Sequence, residues 1–146
     1  MTVRTKFASA LLAEEGFYRA FEAADPVAMM QVWDSAGTIT CVHPFGPLLV
    51  GVEQVGESWR AIFRQQLPCR VEVERVSLAS SEDMVVHVVR ENIVVPIQQQ
   101  RFAPVFATNV YRRFGVEWRM VLHHASPSPP GESPTRPQNS PTPTRH

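Results

Sequence analysis

A chain of 146 residues that is 44% hydrophobic, with three tryptophans and eight phenylalanines, is long and apolar enough for one globular domain with a real core, and too short for two of ordinary size. Fourteen basic residues balance fourteen acidic ones with no run of like charge, which excludes the electrostatic footprint of a nucleic-acid binder. Nor does any apolar stretch reach the length needed to cross a bilayer, so neither nucleic acid nor membrane is expected as a partner.

In residues 5–24 the apolar Ala10, Ala13, Phe17, Phe21 and Ala24 recur at spacings of three and four, predicting a helix with Glu14, Glu15, Arg19 and Glu22 on its wet side. The two glutamates cut the apolar run at 7–13 too short for a secretory signal, and a cytoplasmic location is the expectation. Asp25-Pro26 starts a second helix, with Asp25 as N-cap acceptor and Pro26 where no donor is missed; Met29, Met30, Val32 and Trp33 form its buried side. Residues 38–43 read as a strand with Ile39, Cys41 and His43 on one face. Pro44 and Pro47 then prevent any regular element from continuing.

A brief segment at 48–50 leads through Gly51 to a helix reaching about residue 66, with Val52, Val55, Trp59, Ile62 and Phe63 at helical spacing. After Pro68 the pattern changes to strands over 69–79, 84–95, 102–114 and 116–125, the second being densest in valine and so the more central. Residues 1–125 form the expected domain. Residues 126–146 hold seven of the 13 prolines with Ser, Thr, Gly and Gln, and read as a disordered or extended tail; its spacings Pro127 to Pro130 and Pro134 to Pro137 arise easily by chance in such a composition. Cys41 and Cys69 fit neither a disulfide framework nor a zinc site and are expected to be reduced.

Helices followed by antiparallel strands describe an α+β domain whose helices cover one side of a curved sheet. Four stretches carry a more specific resemblance: Phe17-Tyr18-Arg19-Ala20-Phe21-Glu22-Ala23-Ala24-Asp25, Cys41-Val42-His43-Pro44-Phe45-Gly46-Pro47, the helix from Gly51 to Phe63, and Trp118-Arg119-Met120-Val121-Leu122-His123-His124-Ala125-Ser126-Pro127. In that order, across about residues 5–126, they resemble the SnoaL-like branch of the nuclear-transport-factor-2-like superfamily. The resemblance implies a cone-shaped, curved, antiparallel-rich sheet wrapped around N-terminal helices, an internal pocket, and homodimers formed through the outer sheet face. Because this superfamily contains isomerases, cyclases, dehydratases, hydrolases and proteins without catalysis, it implies a fold more firmly than an activity.

Ketosteroid isomerase shares this fold. Its catalytic aspartate falls at His43, its oxyanion-hole tyrosine near Phe17, with Tyr18 one residue off and turned about 100° away on the helix. Its acidic partner falls in 106–110, where no Asp or Glu occurs. The general-base position is therefore ionisable while the oxyanion hole is not reproduced, and steroid isomerisation is not expected.

An imidazole at position 43, held neutral by burial, suits general-base work; it equally suits a packed histidine bonded to a nearby carbonyl. Strand alternation puts Trp118, Met120, Leu122 and His124 on one face and Arg119, Val121 and His123 on the other, so only one of the paired histidines can face the hollow; His124 is assigned to it, as donor to a developing oxyanion, with His123 and His87 on solvent or dimer faces. One bulge would reverse these faces. Tyr18 is a further hydroxyl donor. Phe17, Phe21, Trp33, Trp59 and Phe63 would line the pocket or simply the core, and Arg90, Asn92 and Asn109 would orient a ligand if they lie on the concave face. Two histidines without a placed carboxylate make an incomplete metal site, and neither metal nor cofactor is expected. Two functions stay open: proton transfer or hydration on a small apolar, carbonyl-bearing metabolite, with His43 as base, or a non-catalytic ligand-binding or dimerisation domain with structural histidines.

Overall fold

The computed structural model describes residues 6–129 and 131. Three helices, α1 (Ala10–Ala23), α2 (Pro26–Val32) and α3 (Val52–Gln65), are combined with strands β1 (Thr40–Val42), β2 (Leu48–Val50), β3 (Arg70–Ser80), β4 (Met84–Val95), β5 (Gln100–Arg101), β6 (Val105–Phe114) and β7 (Glu117–Pro127). The sheet runs in the order β2-β1-β7-β6-β4-β3, with β5 paired to β4, and does not close. Every pairing is antiparallel except β1 with β7. This is the expected α+β architecture, with β4 and β6 inside the sheet.

Local chemistry explains the element ends. Ser9 caps α1 by accepting from the Leu12 amide, and Asp25 caps α2 by accepting from the Ala28 amide at 3.0 Å, with Pro26 in the first turn. Between them Ala24 takes a left-handed conformation, φ 51°, which reverses the chain. The strand expected from residue 102 begins only at Val105, because Pro104 cannot donate to the ladder. At the other end β7 runs to Pro127, and the Ser128 hydroxyl donates to the Pro104 carbonyl, so ordered chain extends past residue 125. Residue 130 and residues 132–146 of the expected tail, including Pro134 to Pro137, lie outside the described residues.

The helices pack on the concave face, where Phe17, Met29, Val32, Trp33, Ile39, Val55, Trp59, Val89, Tyr111 and Met120 are fully buried. Helix α1 touches α2, β3, β6 and β7 at once, which makes its buried face wider than the heptad-like spacing suggests. Phe17 and Tyr18 are therefore both inside, and so is Glu14, which the spacing assigns to solvent.

A bulge decides which histidine enters the core. In the β6–β7 ladder Val110 pairs with Leu122 but Tyr111 pairs with Met120, leaving Val121 as an extra residue on β7. Inward-facing positions are thus Met120, His123 and Ala125. Strict alternation from Trp118 selects the wrong partner.

Candidate functional site

His43 follows the last residue of β1, and Pro44 then turns the chain, with the Gly46 amide closing the turn on the His43 carbonyl at 2.8 Å. Phe45, in that turn, is in the left-handed region (φ 62°) and almost wholly exposed. The His43 ring is half-buried, edge-on to Trp59 at a centroid distance of 4.7 Å. Its Nε2 lies 2.9 Å from Ser58 Oγ and 3.6 Å from Cys41 Sγ. Ser58 donates its one hydroxyl hydrogen to the Val55 carbonyl at 2.6 Å, so towards His43 the serine can only accept. The imidazole proton therefore sits on Nε2, and Nδ1 carries the lone pair. Burial pushes the pKa of His43 down, so the ring is neutral at neutral pH.

The second imidazole is His123. It is 3% exposed, with ring centroids 4.9 Å from Phe17, 6.1 Å from Trp59 and 6.4 Å from His43. His124 is instead exposed on the outer sheet face, in one row with Thr108 and Val42. The assignment of His124 to the hollow is corrected by the Val121 bulge. Burial first, then the neighbouring His43 and His124, pushes the pKa of His123 down to about 3.

From His123 a chain of buried hydrogen bonds crosses the core. His123 Nδ1 lies 2.5 Å from Asn109 Oδ1, Asn109 Nδ2 donates to Tyr18 Oη at 2.9 Å, and Tyr18 donates to Glu91 Oε2 at 2.7 Å. Tyr18 is thus held inside the network. Asn109 comes from the 106–110 stretch, where an amide rather than an acid faces inward. Burial pushes the Glu91 carboxyl up to about 7, against the lowering effect of the Tyr18 hydrogen bond. Sequence reasoning misses Glu91, although simple alternation places Val85, His87, Val89 and Glu91 on one face of β4.

Other candidates separate. Phe17, Phe21 and Phe63 stack edge-on or tilted against Trp59 at 5.5, 5.8 and 5.4 Å and form one aromatic wall with it. Trp33 is buried against Met120, outside that set of ring contacts. Arg90 lies on the outer face, paired with Glu74 at 3.2 Å and over the Phe106 ring, away from the concave face where it was expected to orient a ligand. Asn92 is buried but donates to the Glu72 carbonyl across the ladder. His87, expected on an outer face, is 1% exposed and paired with Glu14, which also meets Arg75 at 3.2 Å. Together with Tyr18, Glu22 and Val73, Glu14 and Arg75 line an open cleft of about 440 Å³ between α1 and β3. Among the described residues no three His, Cys, Asp or Glu side chains gather as metal ligands, and no helix is long and apolar enough to cross a membrane.

A family model described as a SnoaL-like domain matches residues 12–130. The chain belongs to the SnoaL-like family. Its fold is that of the nuclear-transport-factor-2-like superfamily. This SnoaL-like domain is 37% identical to a solved candidate calcium/calmodulin-dependent protein kinase type II association domain from Thiobacillus denitrificans, over 86% of this chain and 100% of that one, with a TM-score of 0.80. It is 30% identical to a candidate dehydratase of the NTF2-like family from Streptomyces avermitilis, over 80% and 91% of the two chains, TM-score 0.71. A ketosteroid isomerase-like protein from Erwinia carotovora shares the fold at 16% identity and a TM-score of 0.63, over 88% and 100%. Among curated proteins, the F-box protein SKIP8 of Arabidopsis thaliana is 27% identical over 99 residues, 68% of this chain; the matched part is 41% of that protein's length.

Proposed function

We propose that this SnoaL-like domain binds a small apolar, carbonyl-bearing metabolite between α1, α3 and β7 and moves a proton on it, with His43 Nδ1 as the base. The observation that carries the reading is the pair of uncharged imidazoles, His43 and His123, 6.4 Å apart beside one aromatic wall. A neutral ring with a free lone pair can take a proton from carbon or from water. Trp59 adds a buried indole N–H without a partner, a donor suited to a carbonyl oxygen. Replacing the expected His124, His123 is the second functional imidazole. Both cysteines are unpaired, as a reducing cytoplasm would keep them.

The test is deuterium uptake from heavy water at carbon adjacent to the carbonyl, in ligands first selected by thermal shift. His43→Gln should slow that exchange by about 10²–10⁴-fold. His124→Gln, on the outer face, should leave it unchanged. Equal exchange rates in wild type and His43→Gln would remove the catalytic reading.

A second reading, association, is favoured by the outer sheet face and by the relationship to a candidate association domain. Val86, Val110, Leu122 and Thr40 form one row across that face and Val88, Thr108, His124 and Val42 the next, all but His124 half-buried in a single chain. A homodimer packed on these rows would bury them. Val110→Glu should then convert a dimer to monomers in sedimentation velocity while leaving the circular dichroism spectrum unchanged; a monomeric wild type would remove this reading.

A further inference from the structure

The hydrogen bonds that begin at His123 all run one way, and the same four groups can be satisfied in the opposite sense. In the observed direction His123 donates from Nδ1 to Asn109, Asn109 to Tyr18, and Tyr18 to Glu91. Glu91 is then the terminal acceptor, as an ionised carboxylate must be. A proton on Glu91 Oε2 makes that group a donor to Tyr18 Oη. The Tyr18 hydrogen then goes to Asn109, whose amide turns end for end, since its oxygen and nitrogen have nearly the same shape. Asn109 Nδ2 now donates to His123 Nδ1, which can accept only if the ring carries its one proton on Nε2. The sole net change is one proton gained at Glu91; the imidazole keeps a single proton and moves it between nitrogens by exchange with water.

We propose that Glu91, acting through Tyr18 and Asn109 as positioning residues, decides which ring nitrogen of His123 bears the proton, and so whether Nε2 offers the ligand an acceptor or a donor. The consequence for ligands rests on the pocket reading above. With Glu91 ionised, Nε2 accepts and suits a hydroxyl, enol or N–H. With Glu91 protonated, Nε2 donates and suits a carbonyl oxygen or the oxyanion that forms from it. A carbonyl compound and its hydroxyl analogue should therefore bind with opposite pH dependence.

The relay has further neighbours: Asn109 also meets the Tyr111 side chain, and Tyr18 borders the cleft lined by Glu14, Glu22 and Arg75. Glu91 meets Tyr18 from α1, Tyr111 from β6 and Cys41 from β1; beyond Tyr111 lie Glu14, Arg75 and His87. His123 meets Phe17 from α1, Trp59 from α3, His43 from the turn after β1, and His124 on its own strand. Burial keeps the Glu91 proton on up to about pH 7, while His123 stays uncharged until about pH 3, so the ring can change tautomer without charging.

The experiment is nitrogen-15 NMR of the imidazoles in the free, full-length protein from about pH 5.5 to about pH 8.5, recorded with the Glu91 carboxyl carbon shift. The expected result is a His123 proton on Nδ1 at the alkaline end and on Nε2 at the acidic end, with the midpoint of the Glu91 titration. Tyr18→Phe keeps the ring volume and breaks the link, and should show one tautomer at every pH. Should that variant fail to fold, Glu91→Gln, which cannot titrate, must likewise show no change. A single His123 tautomer across the range in the wild type, or a change that survives either substitution, overturns the proposal. Because no ligand is present, this failure would be separate from a failure of the exchange assay above.

Discussion

Replacing Trp59 by alanine is expected to lower the unfolding free energy by about 3–5 kcal/mol, enough to bring a marginally stable domain close to its unfolding threshold. Trp59 is 1% exposed and packs against Phe17, Phe21, Phe63, His43 and His123, so the cavity cannot collapse without moving α1 or α3. Urea unfolding measures the loss, and a change below about 1 kcal/mol would mean that the aromatic wall does not hold the helices to the sheet. Trp59→Phe keeps most of the buried area and removes the unpartnered indole N–H. It should cost much less stability, yet weaken the binding of a carbonyl ligand.

Stability should rise as pH increases from about 4.5 to about 6.5 and then stop rising, because buried imidazoles and a buried carboxyl act with opposite signs. His123 is pushed down to about 3, whereas in the unfolded chain it takes up a proton near 6.5. Its contribution is complete above pH 6.5 and is lost as pH falls towards 3, on the order of 5 kcal/mol over the full span. His43, also lowered by burial, adds in the same direction. Glu91 keeps its proton to about 7 when folded and loses it near 4.5 when unfolded, so its contribution is present below pH 4.5 and is lost as pH rises to 7, roughly 3 kcal/mol in all. Between the two unfolded values His123 and Glu91 offset each other, and the lowered His43 supplies the rise. Urea midpoints measured across the range should therefore peak near pH 6.5; His123→Gln should flatten the acid side, and Glu91→Gln should remove the fall towards pH 7. Flat stability between pH 4.5 and 6.5 in the wild type would mean that His43 adds nothing to the balance between His123 and Glu91.

The helices and strands were legible because each signal is local. Asp25-Pro26 caps its helix as its chemistry requires, Val55, Trp59 and Phe63 repeat every four residues on α3, and the valine-dense run over 84–95 became an inner strand. The SnoaL-like resemblance rested on stretches in the right order, and the family match covers the same region. His43 was legible too, as an imidazole at the end of β1 before a proline turn, half-buried beside Trp59.

The site beyond His43 was not legible, since its members meet only through the register of distant strands. His124 was chosen by alternation, and the extra residue at Val121 put His123 inside instead; a bulge leaves no composition signal in its own strand. Glu14 and His87 are polar and by type belong to a wet face, yet the fold buries both and brings them against each other across 73 positions of sequence. Glu91 follows the same logic, since an acid in a strand reads as solvent-facing until the fold sets the Tyr18 hydroxyl against it.

Sequence by itself thus determined what periodicity, capping and punctuation can encode: three helices, the succession of the longer strands along the chain, the proline turn and the ionisable residue delivered to it. Only the tertiary structure decided which polar side chains lie inside. That choice depends on one bulge and on pairings between β4, β6, β7 and α1, and a buried polar side chain becomes tolerable only when a partner far along the chain arrives to meet it.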